Sequence, residues 1–206
     1  MNLEPTVSIV DDDISVRDSL SLLLGLKGFR TLCFARAEDF LATYQPDWTG
    51  CLILDIRMAG MDGLTLQREL RDRGMDLPVI ILTAHGSLEA ARTAFKAGAV
   101  DFFEKPVDGE IIIEAVREAL ARQAAQRKQQ EGTANARARL EQLSERERQV
   151  LHMLAAGKHT REIGAELGIS PRTVEVYKNR LMEKTDAHKL PDLVRLVLDA
   201  ERDMEA

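Results

Sequence analysis

The chain has 206 residues, 45% of them hydrophobic, which suits one large domain or two ordinary ones with proper cores. Its formal net charge of -6 is unevenly spread: residues 1 to 121 hold 12 Lys/Arg against 20 Asp/Glu, and residues 122 to 206 hold 16 against 14. The first part is therefore a poor partner for nucleic acid, while the second can approach phosphates if its positive charges share a face. No run reaches the roughly eighteen apolar residues of a membrane span, the opening MNLEPTVSIV has no basic segment followed by a long apolar one, and Cys33 and Cys51 lack ligand spacing. These features exclude a membrane protein and a disulfide scaffold, and they predict a cytoplasmic chain with two small core cysteines.

Thr6 to Val10 reads as a short β-branched strand that breaks into Asp11, Asp12 and Asp13. Behind these acids Val16, Leu20, Leu23 and Leu24 recur at helical spacing. Phe29 to Phe34 is a second strand and Ala37 to Tyr44 a short helix. Cys51 to Leu54 is a third strand, an apolar run of the kind covered on both faces of a parallel sheet, and it ends at Asp55. Leu64 to Arg71 and Ser87 to Lys96 are helical. Between them Val79 to Leu82 forms a strand ending at Thr83, and Ala99 to Phe103 forms the last strand, ending at Glu104-Lys105-Pro106. Strands alternating with helices in this way predict a doubly wound α/β domain with a five-stranded parallel sheet.

A helix begins near Asp108 with an apolar stripe at Ile112, Ala115, Val116, Ala119 and Leu120, then becomes polar, so it is expected to fray into a linker around Gly132 to Ala136. The expected organisation is a first domain over 1 to 124, a helical linker over 125 to 138 and a four-helix domain over 139 to 206. In the latter, Ser144 to Glu147 is a capping box. Thr160 to Leu167 is a short helix ended by Gly168, and Ser170-Pro171 opens the next, to about Lys184. Two short helices joined through Gly168-Ile169-Ser170 make a helix-turn-helix pattern. In its second helix Val174, Tyr177 or Lys178, and Leu181 fall on one face, which leaves Arg172, Glu175, Val176, Asn179 and Arg180 elsewhere.

The positional pattern in the first domain points to phosphate chemistry. The acids at 11 to 13, Asp55, Thr83 and Lys105 each follow a strand, and alternating connections place those strand ends on one edge of the sheet. Clustered carboxylates suit a hard divalent cation with oxygen ligands, and a Lys and a hydroxyl beside it suit a phosphoryl group. The reaction this suggests is attack of the Asp55 carboxylate on phosphorus to give an acyl phosphate. A phosphatase resembling the haloacid dehalogenases would need a second Asp two residues on, and that position is Arg57.

DDD after the first strand, LDIRMAGMDG, TAHG and DFFEKP together resemble the receiver domain of two-component response regulators over about residues 5 to 121. The resemblance implies that Asp55 is the phosphoacceptor and that Asp11, Asp12, Asp55 and the Arg57 carbonyl bind Mg²⁺ (or Mn²⁺). Thr83 and Lys105 would contact the phosphoryl group, with Phe102 as the aromatic switch and a cis bond before Pro106. Such domains usually have Pro where this chain has Ala59, which leaves that loop less rigid. LSERERQVL and HTREIGAELGISPRTVEVYKNRLMEK resemble the LuxR/FixJ-type DNA-binding domain over about residues 139 to 202. That resemblance puts Glu175, Val176 and Asn179 on bases, places Thr173, Lys178 and Arg180 near phosphates, and includes Arg172 in the groove-facing surface. The whole chain resembles a FixJ-type response regulator, which implies a histidine kinase, promoter double-stranded DNA and RNA polymerase as partners, dimerisation on phosphorylation, and no separate enzymatic turnover. A phosphotransfer relay without DNA output is the alternative from another class.

Overall fold

The computed structural model describes residues 4–201, so Met1–Leu3 of the opening segment and the last five residues of the expected second domain lie outside the description. Five strands and five helices form the first part: β1 (Thr6–Val10), α1 (Ile14–Leu26), β2 (Arg30–Phe34), α2 (Ala37–Thr43), β3 (Gly50–Leu54), α3 (Gly63–Asp72), β4 (Val79–Thr83), α4 (Leu88–Lys96), β5 (Asp101–Glu104) and α5 (Gly109–Glu141). Four helices follow: α6 (Glu145–Ala155), α7 (Thr160–Leu167), α8 (Pro171–Thr185) and α9 (Leu190–Glu201). By internal contacts the chain divides into two units, Met1–Gln126 and Arg127–Ala206.

The sheet is parallel throughout, in the order β2-β1-β3-β4-β5. Its order reverses between β1 and β3, which is where an open α/β sheet leaves a crevice beyond its carboxyl ends. Side-chain alternation sorts the core into two layers. Val7, Ile9, Cys51, Ile53, Ile80 and Leu82 pack with Leu20 and Leu24 of α1 and Ile112, Val116 and Ala119 of α5. Val10, Leu52, Leu54, Val79 and Ile81 face Phe40 of α2, Leu66 and Leu70 of α3 and Ala94 of α4. Every residue of β3 and β4 is buried, as expected for central strands covered on both faces.

Two expectations change. Cys51 is buried, but Cys33 is exposed: β2 is the edge strand, with the burial of only one neighbour, and the Cys33 thiol reaches no further than the rim of α1 at Arg17 O. The helix starting near Asp108 also does not fray at Gly132 to Ala136. It continues as α5 to Glu141 because its later turns have partners that local composition does not disclose: Thr133 and Ala136 are buried. Arg137 Nε donates to Ala200 O at 3.2 Å and Arg139 Nη1 to Thr185 O at 2.9 Å, so two cations meet the carbonyl ends of α9 and α8. In the first unit the helix is tied down by Gln123, whose Oε1 accepts from Gly50 N at 2.5 Å, and by Gln126 Nε2, which donates to Asp76 Oδ2 at 2.5 Å.

The second unit has its own core, Leu143, Val150, Leu151, Leu154, Ile163, Val174, Leu181, Leu193 and Val197. Ser144 and Glu147 form the expected capping box at α6. Glu147, 3% exposed, also receives Lys184 of α8 at 2.7 Å. Gly168 ends α7 with φ 67, the left-handed conformation that glycine adopts without steric cost, and Ser170 caps α8 by accepting from Thr173 N.

Candidate functional site

At the carboxyl edge of the sheet, register brings the expected residues together. Val10 pairs with Leu54, so Asp11 and Asp55 leave neighbouring strands side by side, and Asp55 N donates to Val10 O at 2.9 Å. Thr83 ends β4, and its carbonyl accepts from Lys105 N at 2.8 Å. Lys105 Nζ lies 2.5 Å from Asp11 Oδ2 and 3.1 Å from Asp55 Oδ1. Asp11 Oδ1 accepts from Asp13 N at 3.0 Å, and Asp13 turns its own carboxylate to Ser15 N as the cap of α1. Thus the third acid of the run is a helix cap. Asp12 is exposed, and one oxygen each from Asp11, Asp12 and Asp55 lies within 4.8 Å of the others.

Both partners of the tightest pair hold their proton more strongly than usual. Burial raises the Asp11 carboxyl beyond what the Lys105 and Asp13 hydrogen bonds lower it, and the Asp55 charge adds to the rise. Burial works against the Lys105 ammonium, yet the hydrogen bond and charge of Asp11, together with Asp55, raise it above its ordinary 10.5. Oxygen donors alone, three carboxylates within reach of one ion, fit a hard divalent cation.

Thr83 is fully buried, and its Oγ1 accepts from His85 N at 3.3 Å. Phe102 is half-buried against the α3/α4 side of the sheet and stands opposite Ile81, while Glu104 stands opposite Thr83. Phe102 therefore lies one alternation below the strand end. The Arg57 side chain is exposed, and the Lys105-Pro106 bond is cis. The 56 to 62 loop is fastened by contacts that sequence reading missed: Glu38 Oε1 accepts from Met61 N at 3.1 Å, and Gly63 N donates to Ile56 O at 2.9 Å.

On α8, Val174 and Leu181 are buried and Tyr177 packs on the core, while Arg172, Glu175, Asn179 and Arg180 are exposed and Val176 is 45% exposed. Thr173 and Lys178 are half-buried. Thr173 Oγ1 lies 2.8 Å from Ser170 Oγ, which draws that side chain into the cap, and Lys178 Nζ lies 3.6 Å from Glu175 Oε2. Helix α7 meets this face through Thr160, whose hydroxyl donates to Glu175 Oε1 at 3.0 Å, and a groove there is lined by Thr160, Arg161, Arg172 and Glu175. Thr160 and Arg161 are additions to the sequence-derived face. Sequence reading also missed Gly164, which is buried in α7: a Cβ on it would sit 2.8 Å from Ile169 O, so the tight turn between α7 and α8 requires glycine. The available signal was a glycine inside a helical pattern, which marks close backbone approach.

Residues 7–117 match the response regulator receiver domain family, and residues 141–197 match the LuxR family of bacterial regulatory proteins. The chain is 45% identical over 192 residues to the transcriptional regulatory protein FixJ of Azorhizobium caulinodans, covering 93% of this chain and 91% of that one. It belongs to the FixJ-type response regulators. The FixJ of Rhizobium meliloti is likewise 45% identical, over 94% of this response regulator and 95% of its relative. Among solved structures, the response regulator StyR aligns with a TM-score of 0.86 at 37% identity, covering 95% of this chain and 98% of that one. A receiver domain joined to a LuxR-type domain makes this response regulator a transcription factor controlled by phosphorylation. The receiver implies a cognate histidine kinase, and the LuxR-type domain implies DNA binding. Proteins of this build are typically not enzymes. Receiver domains generally bind Mg²⁺ at an acidic pocket, and the Asp11, Asp12 and Asp55 cluster is such a pocket. Among the described residues no helix is long and apolar enough to cross a membrane.

Proposed function

We propose that this response regulator takes a phosphoryl group on Asp55, dimerises through the surface around α4 and β5, and reads promoter DNA with α8. The observation that carries the first step is the bridge from Lys105 Nζ to Asp11 and Asp55 at the sheet's carboxyl edge. An Asp55 oxygen forms a bond to phosphorus as the P–N bond of a donor phosphohistidine breaks, and the imidazole leaves with the bonding pair. Lys105 and the Thr83 hydroxyl face the phosphoryl oxygens and balance the charge they carry. Asp11, Asp12, Asp55 and the Arg57 carbonyl would hold Mg²⁺ or Mn²⁺, which when bound supplies the remaining positive charge. Drawing Thr83 toward the phosphoryl group opens space into which Phe102 repacks, and this alters the α4/β5 surface.

In the second unit, Asn179, Glu175 and Val176 read base edges in the major groove, Thr173, Lys178 and Arg180 position the helix on phosphates, and Arg172 completes the groove-facing surface. The exposed Val176 methyls suit a thymine methyl, and Thr160 steadies the Glu175 acceptor. Incubation with a small acyl-phosphate donor and Mg²⁺ should place one phosphoryl group on Asp55, increase the dimer fraction and tighten promoter binding. A phosphoryl group mapped to another residue, or DNA affinity and oligomeric state unmoved by a stoichiometric one, would overturn the reading. Thr83→Ala should still be labelled at Asp55 but dimerise more weakly; normal dimerisation of the labelled variant would remove Thr83 from the route.

A further inference from the structure

The loop after Asp55 contains Ala59, Gly60 and Gly63 and no proline, so its conformation has to be imposed from outside. At its base the imposition is steric. A Cβ on Gly63 would lie 2.1 Å from Asp55 O, so glycine is needed where α3 closes onto the phosphoacceptor's own carbonyl. At its tip the imposition comes from α2. Glu38, in the first turn of that helix, accepts from Met61 N, and Gly60 passes so close that a Cβ there would lie 2.5 Å from Glu38 Oε1 and 3.3 Å from Arg36 Nη2. Gly60 also has φ 85, so an L side chain is excluded by conformation as well as by space. The second Glu38 oxygen is sealed from solvent with no hydrogen-bond partner and has the Arg36 Nε at 3.5 Å as its nearby counter-charge. Its own backbone N–H and that of Met61 hold the Glu38 carboxyl below its ordinary range. One oxygen of this carboxylate, Oε1, thus meets the loop tip, and the other, Oε2, is turned away from water beside Arg36.

We propose that Glu38 is a positioning residue for the phosphorylation site: by holding Met61 it keeps the 56 to 62 loop folded back and the Arg57 carbonyl presented to the cation beside Asp55. This rests on the reading of Asp11, Asp12, Asp55 and Arg57 as the cation's ligands. Glu38 touches neither cation nor phosphoryl group, and its influence passes through one backbone hydrogen bond. Oxygen donors that orient a metal ligand from outside the coordination sphere typically change affinity by about ten- to a hundredfold when removed. Because Arg57 is four residues from the clamp, the lower end of that range applies.

The test uses the full chain with Mn²⁺ as probe, free Mn²⁺ being read by electron paramagnetic resonance and the Met61 amide by hydrogen exchange. Glu38→Ala should accelerate Met61 exchange and weaken Mn²⁺ binding by about tenfold. Glu38→Gln retains an oxygen that can accept from Met61 N, so it should restore both readouts. Glu38→Asp keeps the charge but shortens the reach to Met61 N, so it should show the same two losses, which keeps the question decidable if Glu38→Ala fails to fold. Faster Met61 exchange with Mn²⁺ affinity unchanged would overturn the proposal, and so would Glu38→Gln binding as weakly as Glu38→Ala. Wild-type protein that does not bind Mn²⁺ would instead overturn the assignment of the ligands, and the positioning role with it.

Discussion

The two functional regions are built in opposite ways. In the receiver unit, residues 11, 55, 83 and 105 meet because four parallel strands end at one edge, and Asp11, Asp55 and Thr83 are buried there. In the second unit the face from Arg172 to Arg180 belongs to one helix, and most of its side chains stand in solvent. A convergent buried site shares its charges: Lys105 serves two carboxylates, so removing any member leaves the others miscounted. An exposed helix face shares less: Glu175 is tied to Thr160 and Lys178, but among the described residues Arg172, Asn179 and Arg180 share no hydrogen bond or ion pair with one another, and contacts without shared partners add. The first arrangement makes a switch with few intermediate states. The second, as the proposed reader of DNA, could be retuned one position at a time.

The largest expected effect tests the convergent half. Asp55→Asn is nearly isosteric but lacks the nucleophilic oxyanion, so labelling by an acyl-phosphate donor should vanish while circular dichroism stays that of the folded chain. Intact-protein mass spectrometry reads the result directly, and a phosphoryl group still mapped to position 55 would break the comparison at its root.

The additive half predicts graded losses of two kinds. Asn179→Ala should cost about 1 to 3 kcal/mol on the cognate site and relax preference at one base step. Arg180→Ala should weaken cognate and random DNA together and make the slope of log K against log salt shallower by about one unit. A salt series on both variants separates them, and identical losses on all sequences would deny that the α8 face distinguishes base contacts from phosphate contacts.

A smaller effect probes a buried charge placed outside both sites. At Glu147 burial alone would raise the carboxyl, but hydrogen bonds from Lys184 and Ser144 outweigh it and hold the group below its ordinary 4.5. A carboxyl whose folded value is depressed stabilises the fold above its unfolded value and loses that contribution as pH falls through the folded one. Stability of the second unit should therefore decline on acidification below pH 4.5. Glu147→Gln should flatten that decline and cost about 1 kcal/mol at neutral pH, a modest loss because Lys184 is partly solvated. Amide exchange in α6 and α8, followed against pH, measures both.

The smallest change is a gain. Nothing lies within 4 Å of a Cβ built on Gly132, in the interior of α5. Gly132→Ala should then raise stability by about 1 kcal/mol through helix propensity alone, visible as an upward shift in thermal melting.

What was legible in the sequence follows the same division. Strand ends, caps and the α8 face depend on neighbours within a few residues, and Asp55, Lys105, Ser144, Ser170 and the exposed set on α8 lie where local patterns put them. The misses depend on distant partners. Cys33 resembles a core residue until β2 proves to be the edge, and α5 looks frayed until Thr133 and Ala136 prove to be buried and Arg137 and Arg139 find the carbonyl ends of α9 and α8. The Ala59 loop looks loose until Glu38, 23 residues before Met61 in sequence, is seen to hold it. No periodicity in a single chain encodes those pairings.

The continuity of α5 also governs how this protein can be taken apart. The boundary between the two contact units falls between Gln126 and Arg127, inside a helix that runs from Gly109 to Glu141. Proteases bind their targets as opened backbone, so the basic side chains of Arg127 and Lys128 become cleavable only when several turns unwind. Light trypsin digestion should accordingly spare this seam and report the rate of helix opening there. A cut made in the gene meets a different limit. A first fragment ending before Gln126 gives up the donor to Asp76, and one ending before Gln123 the acceptor for Gly50 N as well, while a second beginning after Thr133 gives up a buried side chain. The two halves can be separated cleanly only within the few residues that lie between those anchors.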